Sequence, residues 1–424
     1  MSFNEWKEVK LEDVVDTISK RHKFDKDKII LINTSDVLEG KVLNHEYVQN
    51  ENLKGQFKKS FQKNDILYSE IRPQNKRFAY VDFQSDDYVA STKLMVLRKK
   101  NEMITSNFLY QILKSDDLIN ELQVIAESRS GTFPQITYNE LSRMKIKLPP
   151  LDEQKAIAHI LSTLDDKIEV NNQINKTLEN MAQVIFKQWF VDFEFPNEDG
   201  EPYKPSGGEM VESELGLIPK WWGVEEIGNI SDIQNGFAFK APEYVDEGVK
   251  VLRTLNIGND GYFNNTDIVF LPQSYKSEKY EKYYFEEFDV ALVMVGASIG
   301  KIGMILKNTA GGLQNQNMWR FRRKEKRVSQ IFIYYTVKQA QNISKNWSTG
   351  SARDFYRKDS FRKINVILPE KRITDLFEKI TKPIFQNISN HVCENDELIS
   401  MRDGLLPKLM SGEIRVPLDE EGDA

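Results

Sequence analysis

Leu148-Pro149-Pro150-Leu151-Asp152-Glu153-Gln154-Lys155-Ala156-Ile157-Ala158 opens a long helix that has an echo much later in the chain, and the fold is read from it. Prolines bound its start, and Asp152 and Glu153 fall in the first turn, where a helix N-terminus favours negative charge. Apolar residues then recur at three- and four-residue steps: Ile157, Ile160, Leu164, Ile168, Ile174, Leu178, Met181 and Ile185. Written as heptads, Ile157, Leu164, Asn171, Leu178 and Ile185 take position a, and Ile160, Ile174 and Met181 take d. No Gly or Pro interrupts the run from Leu151 to Phe195. The pattern predicts one helix over 151–195 with a narrow seam, suited to pairing with a second long helix.

A single constant shift along the chain supplies that second helix. Leu148-Pro149 becomes Leu368-Pro369, Ile157 becomes Phe377, Ile160 becomes Ile380 and Leu178 becomes Leu398. Met181 becomes Met401 and Ile185 becomes Leu405. Outside the helices the echo persists with drifting offsets, as loop insertions would produce: Trp6 matches Trp222, Asp65 matches Asp289, Phe108 matches Phe332 and Gly131 matches Gly350. The expected class is α+β: two similar units of mixed helix and strand, joined by two long helices that pair as an antiparallel coiled coil. The expected boundaries are a unit over 1–150, a helix over 151–195 and a linker over 196–220. A second unit over 221–370, a helix over 371–415 and an acidic tail over 416–424 complete the chain. Pro383, inside the second helix, predicts a kink or a late start there. Asn171, with His391 opposite it in the repeat, is either a register-fixing polar residue in the seam or a tolerated surface polar.

Charge is divided unevenly. Residues 151–200 and 371–424 together hold 11 basic and 21 acidic residues, while 301–363 hold 15 Lys or Arg against three acids, a balance of +12. Such a segment is a candidate phosphate-facing surface, set against the ordinary reading of a solvated charged face. Cys393 is the single cysteine, so no internal disulfide forms and a reducing compartment is the default. The start of the chain lacks the apolar core of a signal peptide and no 18-residue apolar run exists, so the expected location is cytoplasmic, with no membrane partner.

Catalytic chemistry is not legible. His22, His45, His159 and His391 are scattered and share no metal-ligand spacing with Cys393, so neither a metal nor a cofactor is expected. Gly296-Ala297-Ser298-Ile299-Gly300-Lys301 looks like a phosphate loop, but only three residues separate its glycines and Ile302 stands where Ser or Thr should hold magnesium. The following residues read as a strand, so the turn is expected to present Ser298 and Lys301 outward. Glu153-x-Lys155 looks like one end of a nuclease site, yet its acids sit where a helix start wants them and its repeat counterpart loses both residues.

What remains is two basic-patched units held apart by helices. Two helices of ~35 residues span about 50 Å, comparable with one to one and a half turns of duplex DNA. Here the chain resembles the specificity subunit of type I restriction–modification systems. The stretch quoted first carries the likeness, with Leu405-Leu406-Pro407-Lys408-Leu409-Met410-Ser411-Gly412-Glu413-Ile414, Asn235-Gly236-Phe237-Ala238-Phe239-Lys240 and Asp65 to Pro73. Residues 1–150 depart from it, since Ile18-Ser19-Lys20-Arg21-His22-Lys23 replaces the Gly-Phe-Ala-Phe stretch. The resemblance implies a non-catalytic subunit whose two target-recognition domains read the two parts of a bipartite, asymmetric double-stranded DNA site. It further implies docking of two modification (methyltransferase) subunits and of restriction (endonuclease/translocase) subunits. The other readings are an interaction scaffold that does not bind DNA and a nuclease with an unrecognised site. Candidate DNA contacts are Arg72, Gln74, Lys76, Arg77 and Arg129 in the first unit, and Ser298, Lys301, Gln314, Asn315, Asn317 and Arg353 in the second, residue types that pair with base edges or phosphates.

Overall fold

The computed structural model describes residues 6–51, 55–128, 133–324, 327–344 and 356–417. The chain divides into two compact units: Met1–Ile168 with Leu398–Ala424, and Glu169–Glu397. Each contains one mixed domain and a piece of both long helices.

The domains share one topology. In the first, strand Lys7–Lys10 pairs antiparallel with Lys145–Leu148, the strand that leads into the first long helix. In the second, Gly223–Glu226 pairs in the same way with Asn365–Leu368. A four-stranded antiparallel sheet follows, ordered Val15–Thr17, Leu94–Lys99, Ile66–Ser69, Phe78–Tyr80 in the first domain. Its counterpart runs Ser231–Asn235, Met318–Arg323, Val290–Val293, Ile302–Met304. A second small sheet carries a parallel pair in both copies, Lys28–Ile32 with Tyr88–Ser91 and Val249–Leu252 with Leu313–Gln314. Even a buried ion pair is repeated. Arg98 grips Asp65 through Nε and Nη2 at 2.6 and 2.7 Å, and Arg322 grips Asp289 at 2.8 and 2.5 Å.

The long helices are Leu151–Phe190 and Lys371–Ser411. The first ends five residues before the expected 195, as Val191 and Asp192 turn back onto the Lys187 carbonyl. The second runs through Pro383 without a break, so no late start occurs. Pro383 lies on an exposed face, where its missing N–H leaves the freed carbonyl open to water. Within the second unit the helices pair antiparallel through Asn171 with Asn395 and Asn175 with His391, at 2.9 and 2.8 Å. Within the first unit the same sense is kept by Asp165 with Arg402 and Glu153 with Arg415.

The seam row differs from the expected one. Ile157, Leu161, Asn171, Asn175, Ala182 and Phe186 are buried, whereas Ile174 and Met181 are 40% and 50% exposed. A seven-residue repeat allows a partner row at either i+3 or i+4 from position a. Packing of each domain onto the helices selects the i+4 side. Asn171 and Asn175 are therefore core polar residues with partners, not surface ones.

Candidate nucleic-acid interface

The two clearest sequence motifs turn out to be structural. Glu153 is nearly fully buried and receives both prongs of Arg415, 2.5 and 2.6 Å, with the Trp6 indole N–H donating at 3.2 Å. This hydrogen bonding holds the Arg415 guanidinium above its ordinary range. Gln154, fully buried, donates to the carbonyls of Met103 and Pro149 and accepts from the Thr105 N–H. The opening motif thus clamps the first domain to the helix pair, and the nuclease-like reading of Glu153-x-Lys155 has no support. Among the described residues, no group of three or more His, Cys, Asp or Glu comes together to hold a metal.

The candidate DNA loops occupy equivalent places. Arg72–Arg77 lies in the hairpin between Ile66–Ser69 and Phe78–Tyr80, and Gly296–Lys301 lies in the hairpin between Val290–Val293 and Ile302–Met304. In the register that sets Asp65 on Asp289, the left-handed backbone positions coincide: Arg72 and Lys76 (φ 45° and 50°) match Gly296 and Gly300 (φ 93° and 82°). Glycine adopts this conformation freely, whereas each non-glycine residue there costs of order 1–3 kcal/mol. The first copy therefore bears strain to keep two cationic side chains on the loop. At Gly300 the converse holds, since an added Cβ would lie 2.6 Å from Gln341 Nε2.

Side chains on these loops divide into two groups. Arg72, Gln74 and Ser298 are exposed at the tips, and Arg72 stands 5.6 Å over the Phe133 ring. Arg77 and Lys301, equivalent residues, turn inward instead. Arg77 donates to the carbonyls of Ser35 and Val37, and Lys301 donates to that of Ile257. The expected outward presentation of Lys301 is corrected accordingly: its charge fixes the loop base. Lys76 is half-buried and ion-paired with Asp116 at 2.8 Å. Gln314 is fully buried, donating to the carbonyls of Gln234 and Met318, and Asn315 is buried beside Gly236. Asn317 is half-buried, and its carbonyl accepts from Met294 at the hairpin. Arg129 and Arg353 lie outside the described residues, although the chain around them returns to the hairpins: Arg72 N–H donates to the Pro134 carbonyl and Tyr356 N–H to that of Met294.

Part of the basic segment, Arg320 to Arg327, is not a free surface. Arg320 is buried against Asp232, Arg322 holds Asp289 and Glu286, Arg323 meets Glu378, and Arg327 lies 3.6 Å from Glu225. Lys324 donates to the Gly228 carbonyl. These cations hold the domain and its helix together. No count of charge along the sequence could have shown this, because the acids come from distant segments.

A domain that occurs twice, followed each time by a long helix, with candidate loops at matching places, is an internally duplicated architecture. The family model described as "Type I restriction modification DNA specificity domain" matches residues 4–180 and again 219–393. The specificity subunit of type I restriction enzyme HindI from Haemophilus influenzae is 31% identical over 97% of this chain and 100% of its own length. That of MjaVIII from Methanocaldococcus jannaschii is 26% identical over 77% of this chain and 75% of its own. The S subunit of a type I restriction–modification system from M. genitalium has the same fold, with a TM-score of 0.60, 17% identity and 96% of each chain covered. The chain belongs to the type I restriction–modification specificity subunits, which are non-catalytic.

Proposed function

We propose that this chain reads a bipartite, asymmetric DNA site for a type I complex. Residues 1–150 and 221–370 act as the two target-recognition domains. The observation that carries the reading is the matched pair of hairpins, Arg72–Arg77 and Gly296–Lys301, which share backbone form but differ in side chains. The same scaffold then meets two half-sites of different sequence. Arg72 and Gln74 in the first domain and Ser298 in the second are the base-edge contacts we favour, with Arg129 and Arg353 as further candidates from the sequence and Gln314, Asn315 and Asn317 supporting the loop bases.

The long helices set the distance between the half-sites and dock the partners. Val170, Ile174, Met181 and Val184 stand 40–53% exposed at helical spacing on the first long helix. An apolar row left open on a paired helix suits a protein partner, and modification subunits are the partner we assign to it, with restriction subunits joining the assembled complex. Among the described residues, no helix is long and apolar enough to cross a membrane. Mapping methylated adenines genome-wide with and without the gene tests the reading: one divided motif should vanish on deletion. A band-shift without sequence preference, in the presence of the modification subunit, would leave only a scaffold. Methylation or cleavage by the chain alone would show it to be an enzyme.

A further inference from the structure

Equivalent faces of the two domains differ in part: both carry a lysine, Lys58 and Lys282, but the second is aromatic where the first has Arg21, Lys23 and Lys59. In the second domain Phe237 N–H donates to Gln314, and its ring lies 5.2 Å from Tyr283 and 5.0 Å from Phe239. Tyr275 and Tyr280 extend that aromatic surface. The first domain keeps the same frame. Glu70 N–H donates to the Lys93 carbonyl as Met294 N–H does to that of Asn317, both in the register that sets Asp65 on Asp289. In that frame Lys59 stands where Tyr283 does. In the register that sets Trp6 on Trp222, Arg21 stands where Phe237 does and Lys23 where Phe239 does.

The replaced residues form a connected strip. Arg21 bridges antiparallel to Lys59, the His22 N–H donates to the Lys58 carbonyl, and the Ser60 N–H donates to that of Lys20. Lys59 sends its ammonium to the carbonyls of Thr92 and Leu94, which draws the turn bearing Lys93 alongside. Lys20, Arg21, Lys23 and Lys58 are exposed, and none has an ion-pair partner among the described residues. Exposed Lys10 and Lys145 and half-buried Lys99 each sit against a carboxylate, whereas exposed Lys7, Lys28, Lys63 and Lys147 have no ion pair among the described residues; the strip is set apart by cations lying on adjoining segments. Of the acids around the strip, Asp87 is occupied by Lys26 and Tyr47, Glu70 lies 3.7 Å from Lys93, and Asp25 acts on the buried His22.

We propose that Lys20, Arg21, Lys23 and Lys58, with Lys93 beside them, form a phosphate-binding strip that anchors the first domain on the DNA backbone. The inference rests on the reading of this domain as a DNA-binding one. Four cations without an ion-pair partner among the described residues, on two adjoining backbone segments, can meet the phosphates of a duplex strand, a role of positioning rather than base choice. In the second domain Phe237 and Phe239 take the places of Arg21 and Lys23, while Lys282 keeps that of Lys58.

The test uses the full chain assembled with its modification subunits and a duplex carrying the mapped site. Lys20→Ala, Arg21→Ala and Lys58→Ala are combined, and the slope of log affinity against log salt is measured. Three lost phosphate contacts should make it shallower by about 2.7, at about 0.9 per contact, with the methylated motif unchanged. The same number of charges removed at Lys10, Lys99 and Lys145 should leave the slope alone. The combination Lys20→Arg, Arg21→Lys and Lys58→Arg should restore it, which also guards against misfolding of the alanine variant. An unchanged slope overturns the proposal, as does an altered motif or a loss of subunit association with DNA contacts intact. Failure of the unmodified complex to bind DNA selectively would instead overturn the reading on which the proposal rests.

Discussion

Individual residues hold the first unit closed. Glu153 is 2% exposed and its charge is balanced by Arg415 from the far end of the chain. Removing one partner of a buried pair strands the other, at a cost of about 3 kcal/mol. Arg415→Ala should therefore lower the unfolding free energy by that amount in urea denaturation, and the additional change Glu153→Gln should recover part of it. His22 offers a second test. Burial pushes its imidazole below its ordinary value of 6.5, the neighbouring Asp25 opposing only in part. The neutral ring is thus the form the fold accepts. Stability from this group is present above pH 6.5 and is lost as pH falls from there through the depressed folded value. Thermal melts from pH 7.5 to 5 should show a steeper decline for the unmodified protein than for His22→Asn. Equal slopes would exclude His22 as the source.

At the scale of elements, much was legible in the sequence. Heptad spacing and Pro-bounded starts gave both long helices, because periodicity is a local property, and their expected antiparallel pairing is what the structure has. The row of the seam was not legible: Ile174 and Met181 fit a heptad as well as Leu161 and Ala182 do, and only the domain lying against the helix chooses. The same limit applies to charge. Arg320, Arg322 and Arg323 looked like a DNA surface until Asp232, Asp289 and Glu378 met them from elsewhere in the chain. The candidate loops were chosen for their basic and amide residues. Their matched left-handed positions were invisible, since Arg72 and Lys76 are not residues that announce such a conformation. The exposed row carries a prediction of its own. Ile174→Asp with Met181→Asp should leave the melting temperature within a few degrees, as surface changes do. It should weaken co-purification with modification subunits at least 10-fold, and undiminished assembly would place docking elsewhere.

For the whole molecule, duplication with divergence gives one chain two similar domains of different sequence. If the long helices set the spacing of the half-sites, lengthening both by one heptad, after Ile168 and after Glu397, adds about 10 Å. The mapped motif should then gain roughly three base pairs between its halves, with both halves unchanged in sequence. A motif of unchanged spacing would move that role from the helices to the linker over 196–220.

The division of the chain bears on the order in which it can be made. The first unit is completed by Leu398–Ala424, while the second is one uninterrupted span, Glu169–Glu397. Leu409 lies in the core beside Ile157 and Leu161, and Arg415 closes over Glu153. On the ribosome, then, the domain that emerges first must wait, its helix face uncovered, until the second has been synthesised. Only Leu398–Ala424, synthesised after the second unit, seals it, so a chain terminated before Leu398 would carry a finished second unit and an unfinished first.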